Sequence, residues 1–221
     1  MDTSPILISL KTATLAILIT FFGGLFMAYW VGRVKHPKLR FFLDLLLTLP
    51  MVLPPTVAGF FLLYSFGDFR FLGKILIALF GSGITFTFGA TVLAATVISF
   101  PLMYRSARAA FLQVPRDIED AARTLGASEF RIFYRVTLPN AWPGITSGVV
   151  LAFTRGLGEF GATAMIAGNI QGKTRTLPLA IYSEVAAGKE PEAMQYVLIL
   201  LSVAILALFI LGLVDQKGGR A

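Results

Sequence analysis

The chain has 221 residues, of which 56% are hydrophobic and only 14% are charged, so lipid is the expected solvent for much of it. It has no cysteine and one histidine, His36, which excludes disulfides, thiolate chemistry and a histidine metal cluster, and we expect no cofactor on this chain. The net charge of +7 comes without a recognisable nucleic-acid-binding module, so a nucleic-acid partner is not expected.

Five stretches are long and apolar enough to cross a membrane as helices. A bilayer core of about 30 Å requires about 20 apolar residues in a helix, because lipid offers backbone amides no other partner. A further stretch at 75–83 is about half that length and favours an interfacial or re-entrant segment. The sequence therefore predicts an all-α membrane protein, a polytopic bundle of about five transmembrane helices in a single domain, 1–221. The predicted spans lie near 12–31, 41–66, 86–104, 142–168 and 196–214.

Basic residues are distributed unevenly between the two sides of these spans. Twelve of the 19 lie in the loop after span 1, in the loop after span 3 and after span 5, the last group being Lys217 and Arg220. Six lie on the opposite side, and Arg155 lies within span 4. Cytoplasmic loops carry an excess of Lys and Arg, so we expect the N-terminus outside and the C-terminus in the cytoplasm. The first five residues lack a basic leader, which predicts that the first span is retained.

Span 2 contains Pro50, Pro54 and Pro55 in the stretch LPMVLPP. Each proline removes an amide donor and its ring clashes with the preceding turn, so the helix should be kinked or broken there. Such breaks persist in membranes where protein or a water-filled cavity satisfies the freed carbonyls. Pro54 and Pro55 are therefore candidates either for lining a pathway or for a kink that only improves packing.

The segment 105–140 between spans 3 and 4 is long and charged, and it reads as two short helices. The first should begin after Pro115 and end at Gly126, with one apolar face formed by Ile118, Ala121, Ala122 and Leu125. The second should be capped by Ser128 and ended by Pro139. On the residues alone, this pair either docks on another protein or lies on the membrane surface.

Residues 119–139, EDAARTLGASEFRIFYRVTLP, resemble the loop that marks the permease subunits of bacterial ATP-binding-cassette (ABC) importers. The pattern is Glu-Ala-Ala, three residues, Gly, nine residues, Ile, any residue, Leu, Pro; here Asp120 replaces the Glu and Val136 the Ile. In that family the loop forms coupling helices that dock on a cytoplasmic ATPase. The resemblance therefore implies ATPase coupling for Glu119, Asp120, Ala121, Ala122, Leu125 and Gly126.

Two further segments narrow the resemblance. Residues 156–182, GLGEFGATAMIAGNIQGKTRTLPLAIY, and residues 49–67 resemble the molybdate permeases, and the first is shared in looser form with sulfate and tungstate permeases. The resemblance implies a homodimeric permease in the inner membrane that carries molybdate, with tungstate or sulfate/thiosulfate as alternatives. It also implies a cytoplasmic ABC ATPase dimer, which binds ATP-Mg, and an extracytoplasmic oxyanion-binding protein. The chain itself would be a transport subunit and not an enzyme.

Arg155 and Glu159 are four residues apart in span 4, where they would lie on one helical face and pair. An ion pair facing lipid is costly, so the two residues should face protein or the pathway, either as a structural pair or in contact with substrate. Thr154 and Thr163 offer hydroxyl groups to a substrate or to helix packing. Gly144 and Gly148 form a GxxxG pair that would let helices approach closely. An ion-coupled secondary transporter, with Arg155 and Glu159 as a relay, is the rival interpretation.

Two glycine-containing motifs imitate nucleotide-binding sequences. Gly156, Gly158 and Gly161 match G-x-G-x-x-G, but a dinucleotide site requires a preceding strand in a soluble βαβ unit. Gly172-Lys173-Thr174 ends like a phosphate-binding loop, but the glycine required five places before Gly172 is absent. We therefore expect no nucleotide site on this chain.

Overall fold

The computed structural model describes the backbone of residues 2–218 and the side chains of residues 2–210. Arg220, which contributes to the predicted charge asymmetry, lies outside the described residues. The described part consists of helices and short connections. Its elements are α1 Ser4–Gly32, α2 Pro37–Val52, α3 Pro55–Phe66, α4 Phe71–Phe80, α5 Phe88–Gln113, α6 Arg116–Thr124, α7 Glu129–Ile132, a π-helical turn Phe133–Thr137, α8 Leu138–Leu157, α9 Gly161–Ala167, α10 Leu177–Ala186 and α11 Glu190–Gly218.

The predicted number of spans agrees with the helices by length and composition. The helices α1, α5 and α11 are each long and apolar enough to cross a membrane. Two bent pairs pass the same test together: α2 with α3, at 112°, and the continuous helix Glu129–Leu157 with α9, at 56°. Counting each bent pair as one span gives five, and this all-α architecture confirms the predicted fold class.

Two boundaries of the predicted loop 105–140 are wrong. The helix α5 continues to Gln113, so Arg105 and Arg108 are helical, because Ala107 and Ala110 extend its buried face by two turns. The second short helix does not end at Pro139 either; it continues through the π-helical turn into α8. A π turn opens the hydrogen-bond ladder just before Pro139, where a regular helix would clash with the proline ring.

Two short apolar helices lie outside the five spans. The stretch predicted at 75–83 falls largely in α4, which has ten residues and ends at Gly81 with a positive φ of 75°. That helix is too short to cross a bilayer alone, and its re-entrant character stays a prediction. The second short helix, α10, was not predicted, although Thr176 and Pro178 give a recognisable helix start. The backbone amide of Leu177 donates to Ser9 Oγ at 2.7 Å, which joins α10 to α1.

The helices α1, α5 and α8 form the centre of the bundle through small residues. An added Cβ on Gly144 would lie 2.7 Å from Ala110 Cβ, and one on Gly148 would lie 2.6 Å from Ser106 Cβ. The prediction that this GxxxG pair permits close helix approach is therefore confirmed, with α5 as the partner helix. A buried hydrogen bond of 2.8 Å between the hydroxyls of Thr12 and Thr91 joins α1 to α5.

Candidate functional site

The two broken spans meet at their break points. Leu53 and Pro54 have extended backbone conformations between α2 and α3, as expected for residues that precede prolines. The other span breaks at residues 158–160, between α8 and α9. An added Cβ on Gly161, the first residue of α9, would lie 3.0 Å from Pro55 Cβ in the first turn of α3. The break predicted from the prolines is thus confirmed, and it adjoins a second break that was not predicted.

Gly59 brings α3 against α9 beyond this junction. An added Cβ on Gly59 would lie 2.7 Å from Ala162 Cα and 3.0 Å from Ala162 O, and backbone atoms cannot move aside as a flexible side chain can. The two half-helices therefore pack backbone to backbone, which requires glycine at this position.

We expect Gly59→Ala to lower the stability of the purified protein by roughly 1–3 kcal/mol through overpacking. Gly32→Ala is the matched control, because a Cβ there meets nothing within 4 Å. In a helix the second change should be neutral or stabilising, since alanine is the better helix former. Thermal unfolding of both variants in detergent measures the difference, and equal melting temperatures would contradict the close approach.

Arg155 and Glu159 pair within the second break. Arg155 Nη1 lies 2.7 Å from Glu159 Oε2, so the predicted pairing is confirmed. The prediction that both residues lie on one continuous helix is wrong, however, because α8 ends at Leu157 and Glu159 lies in the connection to α9. Glu159 Oε1 accepts a hydrogen bond of 2.8 Å from the backbone amide of Ala162. The side chain of Glu159 is 1% exposed and that of Arg155 is 35% exposed, so the carboxylate is buried; Oε1 accepts a hydrogen bond, whereas Oε2 has the Arg155 guanidinium beside it without a well-aligned hydrogen bond.

The two candidate threonines differ in their surroundings. The Thr154 hydroxyl donates to Val150 O at 2.9 Å, within its own helix. Thr163 is buried in α9. The structure therefore brings Pro55, Glu159 and Arg155 to one junction, with Thr154 adjacent to Arg155 in the chain.

Three residues of the predicted apolar face of α6 are exposed, and the fourth, Ala122, is half-buried. The helix begins after Pro115 and is followed by Gly126 with a positive φ of 78°, as the sequence predicts. Ser128 Oγ accepts a hydrogen bond of 3.4 Å from Arg131 N, which agrees with its predicted capping role. Ile118 is 45% exposed and Leu125 is 89% exposed, and Ala121 lies beside them at the surface. These exposed apolar side chains are available to a partner surface, either another protein or the membrane.

Arg123 fixes the arrangement of α6 relative to α7. Its guanidinium lies 2.6 Å from Glu129 Oε1 and 2.6 Å from Asp120 Oδ1, and Glu129 Oε2 in turn lies 3.2 Å from Arg33 Nη2 at the end of α1. Hydrogen bonds from Arg123 lower the pKa of the Glu129 carboxyl below its usual range. Arg33 and Glu129 were not predicted as site residues; within α6, the spacings of Glu119 and Asp120 to Arg123, i, i+4 and i, i+3, could have indicated its ion pairs.

A polar cluster that the sequence analysis did not identify joins α2 to α5. The fully buried Tyr104 hydroxyl donates to Asp44, whose other carboxylate oxygen lies 2.9 Å from Arg108 Nη2. The i, i+4 spacing of Tyr104 and Arg108 places both on one face of α5 and was the only available signal. The cluster gives the Asp44 carboxylate a counter-charge, beside Leu43 and Leu47, which pack on the same core.

The structure supports neither of the two glycine-containing motifs as a nucleotide-binding site. No strand precedes Gly156, which lies in the last turn of α8, among the described residues. Thr174 is fully buried, and its Oγ accepts a hydrogen bond of 3.0 Å from the backbone amide of Ile170. A phosphate-binding loop would instead present this hydroxyl to a bound metal ion.

Five apolar spans, two of them broken at a shared junction, define a polytopic helical membrane protein with a charged helical segment at one end. Residues 12–218 match the family described as "Binding-protein-dependent transport system inner membrane component". The chain belongs to this family, and it is a multi-pass protein of the inner membrane.

Several curated relatives are similar along most of the chain. The molybdenum transport system permease protein ModB of Escherichia coli K12 is 45% identical over 206 residues, covering 93% of this chain and 90% of the relative. ModB of Mycobacterium tuberculosis is 43% identical, covering 95% and 77%. The sulfate transport system permease protein CysT of Salmonella typhimurium is 35% identical, covering 96% and 76%.

Solved structures share the fold at low sequence identity. A chain of the inward-facing MetNI methionine ABC transporter matches with a TM-score of 0.69 and 18% identity, covering 99% of both chains. A chain of a bacterial ABC transporter involved in alginate import matches with a TM-score of 0.72 and 16% identity, covering 98% of this chain and 78% of that one. Both likenesses concern the fold alone.

Proposed function

We propose that this chain is the permease subunit of an ABC importer that carries molybdate into the cell. The observation that supports this most is its 45% identity, over 93% of its length, to the ModB permease of Escherichia coli. Two copies would form the translocation path between them. Tungstate or sulfate/thiosulfate is the second candidate cargo, favoured by the 35% identity to the sulfate permease CysT.

The exposed apolar face of α6 is the proposed contact with a cytoplasmic ABC ATPase. Each copy would hold one ATPase subunit, and ATP-Mg would be bound there, so this chain contributes no catalytic group and no cofactor. An extracytoplasmic binding protein would deliver the oxyanion at the opposite end of the bundle. ATP binding would draw the α6 helices of the two copies together and open the path outward, and hydrolysis would reverse the movement.

The proposed orientation has the N-terminus outside and the C-terminus in the cytoplasm. Arg33 contacts Glu129, so the basic loops after spans 1 and 3 lie at the same end of the bundle. The N-terminus lies at the other end, where the Tyr196 hydroxyl donates to Asp2 O at 2.9 Å. The positive-inside rule then supports a cytoplasmic α6.

We place the path beside the junction of the two broken spans, near Pro54, Pro55, Arg155 and Glu159. Freed backbone groups at such breaks persist in membranes only against protein or a water-filled cavity. Because Glu159 already neutralises Arg155, a tetrahedral dianion would be bound by amide and hydroxyl groups more than by a basic cage. Weak binding suits a transporter, which must release its cargo.

Uptake of labelled molybdate into proteoliposomes that contain the permease, its ATPase and its binding protein should require ATP. Unlabelled molybdate should compete best, tungstate nearly as well, and sulfate much less, because the path and binding protein would be suited to the larger oxyanions. Competition by sulfate at equal concentration would favour the second cargo. Transport driven by an ion gradient without the ATPase would contradict the importer and favour a secondary transporter.

A further inference from the structure

A partly buried hydrogen bond connects α6 to the transmembrane bundle. The Thr137 hydroxyl donates to Glu119 Oε1 at 2.6 Å, and Thr137 is only 3% exposed. The side chain of Glu119 is 18% exposed and so points inward from a helix whose other face is uncovered. The same short helix therefore presents an apolar face outward and one carboxylate to the bundle.

Thr137 is the last residue of the π-helical turn and belongs to the continuous helix Glu129–Leu157. At about 1.5 Å per residue, the 20 residues of α8 extend about 30 Å from this turn. The far end of α8 is the break that contains Glu159 and adjoins Pro55. A displacement applied at Thr137 is therefore carried along α8, which stays one helix through its internal Pro143, to the junction beside the proposed path.

The π turn separates residues Glu129–Ile132 from α8 within this continuous helix. Single π turns inside α-helices occur frequently at functional sites. Thr137 lies at the boundary between the π turn and α8. Its hydrogen bond to Glu119 therefore attaches α6 to the start of α8 and not to the residues before the turn. The other side-chain link from α6 to this helix, Arg123 with Glu129 at 2.6 Å, lies before the π turn, and its side chains are 39% and 57% exposed, so it is expected to contribute little to holding α8.

We propose that Glu119 and Thr137 are positioning residues that transmit movement of α6 to α8 during transport. Loss of their hydrogen bond would leave the ATPase docked and able to hydrolyse ATP, but hydrolysis would no longer open and close the translocation path. This inference rests on the proposed function, since it requires an ATPase on α6. It adds a route through named side chains from the docked helix to the junction of the broken spans.

Thr137→Val removes the donor with almost no change in volume, and Thr137→Ser restores a hydroxyl. Thr20→Val is the matched control, because Thr20 is also fully buried but its hydroxyl donates only to Ile17 O, within its own helix. The readouts in proteoliposomes are the amount of ATPase retained on the purified complex and the number of molybdate ions imported per ATP hydrolysed. We expect Thr137→Val to retain the ATPase while import per ATP falls about tenfold. Thr137→Ser should recover to within about twofold of wild type, and Thr20→Val should match wild type.

Each other result has a distinct meaning. Normal import per ATP by Thr137→Val would overturn this inference and leave the proposed function intact. Loss of the ATPase from that variant, or an equal defect in Thr20→Val, would also overturn it, because the effect would then be docking or general stability. Failure of the wild-type chain to retain an ATPase would overturn the proposed function itself. If Thr137→Val does not fold, Glu119→Ala breaks the same bond from α6 and carries the same expectations; Glu119→Gln is its control, because it keeps an accepting oxygen for Thr137 but gives up the 3.7 Å ion pair with Arg123, and it should match wild type.

Discussion

Leu125→Asp should weaken association of the ATPase with the purified protein by about 30-fold or more. Leu125 is 89% exposed beyond the last turn of α6, so a change there removes no internal packing. In the proposed complex this side chain would enter an apolar cleft, where a carboxylate would be buried without a partner. Central apolar residues of interfaces typically contribute about 2 kcal/mol or more, which corresponds to this loss. Titration of the ATPase against detergent-solubilised permease measures it.

Leu125→Met is the matched control for this experiment. It keeps an apolar side chain of similar volume at the same exposed position and should bind the ATPase within a few-fold of wild type. Both variants should unfold at the wild-type temperature, because Leu125 contributes nothing to the core. Unchanged ATPase binding by Leu125→Asp would contradict docking on this face of α6.

Gly126 is a less informative position for the same test, although the resemblance also implies ATPase coupling for it. Its φ of +78° lies in the left-handed region, where any side chain adds strain. Gly126→Arg would therefore change the end of α6 as well as its docking surface. Leu125, one residue earlier, is the better position, because a substitution there changes the docking surface without changing the fold.

The spans and the short helix α6 could be predicted because their signals are local. Apolar runs of about 20 residues, the prolines of LPMVLPP and the glycine after α6 each act through neighbouring residues in the chain. The boundaries were less accurate where a helix continues without apolar residues at every turn. Arg105 and Arg108 look like a loop in sequence, yet the alanines between and after them continue the buried face of α5.

The polar contacts that organise the site could not be predicted because they join residues distant in sequence. Tyr104 meets Asp44 across 60 residues, and Arg33 meets Glu129 across 96. Glu119 was assigned to the ATPase contact with its neighbours, and nothing in its spacing indicates that its side chain turns towards Thr137. Side-chain direction on a nine-residue helix depends on where the bundle lies, which is a tertiary property.

Arg155→Ala should destabilise the protein by roughly 3–5 kcal/mol, because it leaves the buried Glu159 carboxylate without its counter-charge. Glu159→Gln should be milder, since Arg155 is 35% exposed and its glutamine partner still accepts from Ala162 N. Thermal unfolding in detergent gives both values. The order of the two effects follows from burial, because an unpaired charge costs more at the buried Glu159 than at the partly exposed Arg155.

The double variant Arg155→Ala with Glu159→Gln distinguishes a structural pair from a substrate contact. If Arg155 only neutralises Glu159, removing the charge it neutralises should return most of the lost stability, and molybdate uptake should recover with it. If Arg155 instead binds the oxyanion, stability should recover while uptake stays low, because the cation that met the cargo is still missing. We expect recovery of both, since the buried Glu159 carboxylate requires the Arg155 counter-charge and the pair carries no net charge to attract a passing dianion.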